Sequence, residues 1–112
     1  MANMDQTPIA DPLSTLTSQA FVEQVQTKFR TGFSETETGE LELVEIVDHP
    51  TVPGMECFSL LFRGPVSPVL GQGMRRMEHP HLGAMELFIT PVALDKQGAT
   101  YEVVFNRTKP KS

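Results

Sequence analysis

From Thr27 onward, apolar residues recur at every second position in short runs separated by turn chemistry. Phe29, Thr31 and Phe33 alternate with Lys28 and Arg30, and Leu41, Leu43, Glu45 and Val47 alternate with Glu40, Glu42, Val44 and Ile46. Phe58, Leu60 and Phe62 share one face against Cys57, Ser59, Leu61 and Arg63. Met85, Leu87 and Ile89 oppose Glu86, Phe88 and Thr90, and Tyr101, Val103 and Phe105 oppose Glu102, Val104 and Asn106. A weaker run spans Met74–Glu78 and does not alternate cleanly. A period of two is that of a strand with one buried face. Turn residues fall at Thr38-Gly39, from His49-Pro50 to Pro53-Gly54, from Gly64-Pro65 to Gly73, at His79–Gly83 and at Asp95–Gly98. Six short strands so spaced predict an all-β fold, an antiparallel barrel or closed sandwich.

Before these runs the pattern is helical. Thr17 is placed as an N-cap, Leu16 precedes it to staple onto Phe21, and Phe21 and Val25 stand four apart on one face. A short helix ending near Gln26 is expected. Residues 1–13 hold Pro8 and Pro12 and read as an extended N-terminal arm with Ile9 and Leu13 as aliphatic anchors. The expected organisation is an arm over 1–13, one helix-plus-barrel domain over 14–107 and a basic C-terminal tail over 108–112.

Length agrees with one domain: 112 residues, 39% hydrophobic. No apolar run approaches the roughly 18 residues of a membrane-spanning helix, so no membrane insertion is expected. The first 27 residues hold no Lys or Arg, which gives no basic lead-in to a secretory signal, so cytoplasmic synthesis is expected, with release by another route or incorporation into a particle left open. The single cysteine, Cys57, excludes an internal disulfide.

Charge is unevenly spread. Residues 1–56 carry ten acids and two cations, for −8, and residues 57–112 carry seven cations and four acids, for +3. Two readings follow: strands from the two halves neutralise each other within one fold, or an acidic face (Glu40, Glu42, Glu45) and a basic face (Arg75, Arg76) stack copies together. Nucleic acid is disfavoured, because so few cations on an acidic chain leave no broad phosphate-neutralising surface.

None of the chemical constellations is complete. His79 and His81 with His49 or Glu78 could hold zinc, but Pro80 lies between the two histidines and the segment reads as a turn. Cys57 has no base placed beside it and reads as a small buried hydrophobe. Ser59 and Ser67 lack a nucleophile elbow. Gly71-Gln72-Gly73 opens no helix and is a turn rather than a phosphate loop. Glu35, Glu37 and Glu40 flank Gly39 without the Asp or Asn pattern of a calcium loop and read as a solvated strand edge. Met74 and Met77 flank Arg75-Arg76 and read as core filling, with an edge or interface as the alternative. No catalytic residue, metal or cofactor is expected.

The segments Phe58-Ser59-Leu60-Leu61-Phe62-Arg63-Gly64-Pro65, Gln72-Gly73, His79-Pro80-His81-Leu82-Gly83, Glu86-Leu87-Phe88-Ile89-Thr90-Pro91-Val92 and Tyr101-Glu102-Val103-Val104-Phe105-Asn106-Arg107 resemble an uncharacterised family of small bacterial domains. The resemblance spans roughly residues 16–107. It implies the fold and extent of one all-β domain, supplies no catalytic residue, and implies neighbours among phage-tail-like fibre and collar proteins. With the missing chemistry, it gives the functional expectation: a non-enzymatic module that self-associates or packs against a protein partner, with Ile9, Leu13, Glu40, Glu42, Glu45, Arg75 and Arg76 as contact residues. The alternative is a monomeric barrel holding a small apolar ligand against Phe58, Leu60 and Phe105.

Overall fold

The computed structural model describes residues 16–108. A short helix, α1 (Ser18–Val22), precedes six strands: β1 (Lys28–Gly32), β2 (Thr38–Asp48), β3 (Met55–Gly64), β4 (Gly73–His79), β5 (Gly83–Asp95) and β6 (Gly98–Thr108). They close into a barrel in the order β1-β2-β3-β6-β5-β4, and every neighbouring pair is antiparallel. The all-β fold expected from the alternation, a barrel or closed sandwich, is observed, and its sheet closes as a barrel.

The inward positions fill the barrel. Phe29 meets Phe62 edge-on at 5.1 Å, and Phe58 stacks on Phe105 at 4.8 Å. Leu41, Leu43, Leu60, Ile89 and Tyr101 are fully enclosed around them. Each such side chain contributes about 1.5–3 kcal/mol on leaving water. Phe58, Leu60 and Phe105, the expected lining of a ligand cavity, are themselves packed core.

α1 closes one end. Thr17 caps it by accepting from the Ala20 amide at 3.2 Å, and Phe21 enters the barrel end against Phe105 and Phe58. Leu16 and Val25 pack beside it. The helix is shorter than its apolar spacing predicts, ending at Val22 instead of near Gln26. Tertiary pairing is the reason: Gln26 adopts φ 75°, and its amide donates to Leu43 O at 2.6 Å, drawing the chain into the sheet.

Three further expectations are corrected. Thr38-Gly39 is not a turn; the chain reverses over residues 34–37, and Gly39 pairs with Thr31 inside β2. Phe33 lies just past β1, half-buried, with its amide on Glu37 O. In β2 the mixed faces have a mechanical cause. The register shifts between Leu43 and Glu45, so Leu41 and Leu43 point inward before the bulge and Ile46, opposite Leu60, points inward after it. A second shift lies between Pro91 and Ala93.

β5 serves two neighbours in succession. Its first part, Gly83 to Ile89, pairs with β4, and its second part, Thr90 to Asp95, pairs with β6. This handover leaves the outward side chains of Met85–Thr90 facing solvent on a wall formed with β4.

Candidate interaction surface

The alternation of β4 is regular in structure although its residue types obscure it. Arg75, Met77 and His79 take the inward positions, opposite Leu87, Met85 and Gly83, and Met74, Arg76 and Glu78 face outward. The unusual pair is Met74 and Arg75: the apolar residue is in water and the charged one is turned in. Arg75 reaches the barrel mouth and donates to Gly71 O at 3.1 Å. Met74 is 59% exposed directly across from Phe88, which is 47% exposed. Val104 on β6, 58% exposed, is one outward position on from Glu102, as Phe88 is from Thr90 in the Thr90–Glu102 pair. Val92 and Leu94 continue the exposed apolar residues along β5. Such side chains scattered singly on a surface need no explanation; here a cross-strand pair and further apolar neighbours are exposed together.

The β1–β2 wall, which adjoins β4 through β1, has a different character. Lys28 lies 4.0 Å from Glu40, and Arg30, whose strand partners are Glu40 and Glu78, donates to Glu78 at 3.2 Å. Glu42 stands between Lys28 and Arg63. Neighbouring strands thus set acids beside bases inside one molecule. Glu45 is exposed after the bulge, opposite Leu61. Arg76 places its Nε 3.5 Å from Glu78, so Glu78 serves two guanidiniums. Glu86, the cross-strand partner of Arg76, has no cation at salt-bridge distance among the described residues. Ile9 and Leu13 lie outside the described residues.

Two polar clusters escape the alternation. His79, expected in a turn, is the last residue of β4 and is buried. Its Nδ1 accepts the amides of His81 at 3.0 Å and Leu82 at 3.3 Å. With Nδ1 occupied as acceptor, Nε2 carries the hydrogen and donates to Thr27 Oγ1 at 2.8 Å, and that hydroxyl donates to Gln24 O at 2.6 Å. Burial, then the neighbouring His81, pushes the His79 pKa below the ordinary imidazole value. An open cleft of about 580 Å³ runs beside it, lined by Thr27, Lys28, Arg30, Glu40 and Glu78 with the Pro80-His81 rim. Its cations are already occupied by its acids, and no cluster of metal ligands exists among the described residues.

The second cluster joins residues remote in sequence. Ser59 is on the outward side of β3, yet only 1% exposed. Its hydroxyl donates to Glu102 Oε2 at 2.8 Å and lies 2.8 Å from His49 Nε2. Serine, histidine and carboxylate are all present, but the order is wrong for nucleophilic catalysis. The serine proton goes to the carboxylate, so His49 donates to the hydroxyl and cannot act as its base. The cluster ties the chain after β2 to β3 and β6. Cys57, two residues earlier, is half-buried rather than enclosed.

Comparison with protein families gives a model described as a domain of unknown function (DUF6916), matching residues 16–105. Comparison with curated proteins and with solved structures gives no match.

Proposed function

As the chain belongs to the DUF6916 family of domains of unknown function, we propose that it is a non-enzymatic interaction module that associates with further copies of itself in a larger assembly. The carrying observation is the apolar outward pair of Met74 and Phe88, extended by Val104, on a barrel whose other wall pairs its charges internally. Removing that pair from water by contact with another surface is the favourable step. The packed interior supports this reading over a ligand-holding barrel, since Phe29, Phe62, Phe58 and Phe105 occupy the volume a ligand would need. On the resemblance described at the outset, the setting we propose is a bacterial fibre-like or phage-tail-like assembly. Sedimentation of the full chain from micromolar to millimolar concentration tests the proposal. Growth in mass with concentration, lost in Phe88→Lys, is expected. A monomer throughout, together with co-purification of a small apolar molecule, would select the ligand-holding barrel instead.

A further inference from the structure

Resting on that self-association, we infer that the β4–β5 wall is the contact between two copies related by a twofold axis running along the hairpin, midway between its strands. In an antiparallel pair, residues directly across from each other stand side by side at the same height along the strands. A half-turn about an axis parallel to the strands therefore lays each member of a cross-strand pair over the other member in the second copy. Met74, opposite Phe88, lands on the second copy's Phe88, and the reverse contact forms at once. Arg76, opposite Glu86, lands on the second copy's Glu86, again twice.

Both superpositions are chemically favourable. A flexible thioether against an aromatic ring is an attractive contact that adapts to the ring's position. Glu86 has no cation at salt-bridge distance among the described residues, and Arg76 shares the Glu78 carboxylate with Arg30. The second copy therefore supplies the cation that Glu86 lacks among the described residues of its own chain. The wall is its own complement in shape of pairing and in charge, which is the condition for a closed twofold contact. The β1–β2 wall also sets cations across from acids, but it has no exposed apolar pair and its charges are matched at home.

The symmetry gives a decisive experiment. Arg76→Glu places two acids face to face twice across the axis, and Glu86→Arg does the same with two bases. Each variant alone is expected to self-associate at least tenfold more weakly than the unmodified chain. Mixed in equal amounts, the two restore an acid–base contact at both positions, while within each copy the cross-strand pair stays like-charged. Native mass spectrometry of the mixture should then show the mixed dimer as the dominant associated species. Thermal melts establish that both variants are folded, and Phe88→Ser, at an exposed outward position, gives a charge-neutral second disruption. If the unmodified chain associates but the mixture does not recover, the twofold geometry is wrong and self-association stands. If the unmodified chain is a monomer at every concentration, both fail, and the wall belongs to a different protein or to the chain's own terminal segments.

Discussion

Thr27 accepts the Nε2 hydrogen of His79 across the junction of β1 and β4, at 2.8 Å, and passes its own hydrogen to Gln24 O. Because two backbone amides already point at Nδ1, the ring is held in one neutral tautomer. A proton on Nδ1 would face those two donors. The lowered pKa points the same way as the geometry: burial first, then the neighbouring His81, disfavours the charged ring.

The pH dependence follows in sign. The native His79 pKa lies below the ordinary value of about 6.5 that the unfolded chain shows. Between the two values the unfolded chain binds a proton at this site and the native state does not, so stability rises with pH there. The contribution is complete above about pH 6.5 and declines as pH falls toward the native pKa. Melting temperature measured from pH 5 to 8 should fall on the acid side, more steeply than in His79→Gln, which cannot titrate. Parallel curves for the two proteins would refute the locked tautomer.

Ser59→Ala tests the second cluster. It removes the hydroxyl that joins His49 to Glu102 and leaves both without that partner in a nearly closed site. Leaving such groups unsatisfied costs about 1–3 kcal/mol. For a domain of this size the melting temperature should drop by roughly 4–8 °C per kcal/mol. A change below one degree would mean that water replaces the hydroxyl without loss.

Arg107 and Glu56 form the most enclosed ion pair among the described residues, at 2.8 Å with 20% and 14% of their side chains exposed. The guanidinium also donates to Leu16 O and lies over the Phe105 ring at 4.9 Å. It thereby fastens the entry of α1 to the end of β6. Arg107→Lys keeps the charge but gives up the planar fork and the stacking. Arg107→Ala should cost about 3 kcal/mol, near the lower end for breaking a buried pair, and Arg107→Lys about half as much. Urea unfolding reads both, and equal losses would show that geometry, not charge, carries the effect.

Two glycines separate close approach from open space. Gly98 has φ 143°, and a Cβ there would run into the carbonyl oxygen of Gly64 on β3. Gly71 has nothing within 4 Å of such an atom. Gly98→Ala should destabilise the barrel by more than about 1 kcal/mol, and Gly71→Ala should be neutral or stabilise by up to about 1 kcal/mol through the unfolded chain. Circular-dichroism melts of the pair would expose the reverse order immediately.

The strand runs were legible because alternation needs only a chain that sees water on one side. Phe58, Leu60 and Phe62 declared their face without reference to anything distant. The bulge near Val44 was not legible, since an extra residue changes which face is inward without altering composition. α1 ended early because of Leu43, a residue seventeen positions beyond Gln26. The Ser59 cluster draws on residues 49, 59 and 102, a grouping that only strand register creates. Met74 and Arg75 misled for another reason: each sits where its polarity argues against it.

Among the described residues β1 meets β4 only at Arg30–Glu78 and Thr31–Met77, whereas β3 and β6 pair from end to end. The cylinder is consequently a sheet fastened by a small clasp. Arg30 on Glu78, Thr31 Oγ1 on Arg76 O and His79 on Thr27 reinforce it from the side chains. Local opening should begin there, so the amides flanking the clasp exchange with solvent before those of β3 and β6. Since β4 also forms half of the wall proposed to face a second copy, each breath of the clasp would disturb that face. Association would hold the clasp shut, and acid would loosen it through His79, so a module built this way would grip its neighbour most firmly where its own closure is least at risk.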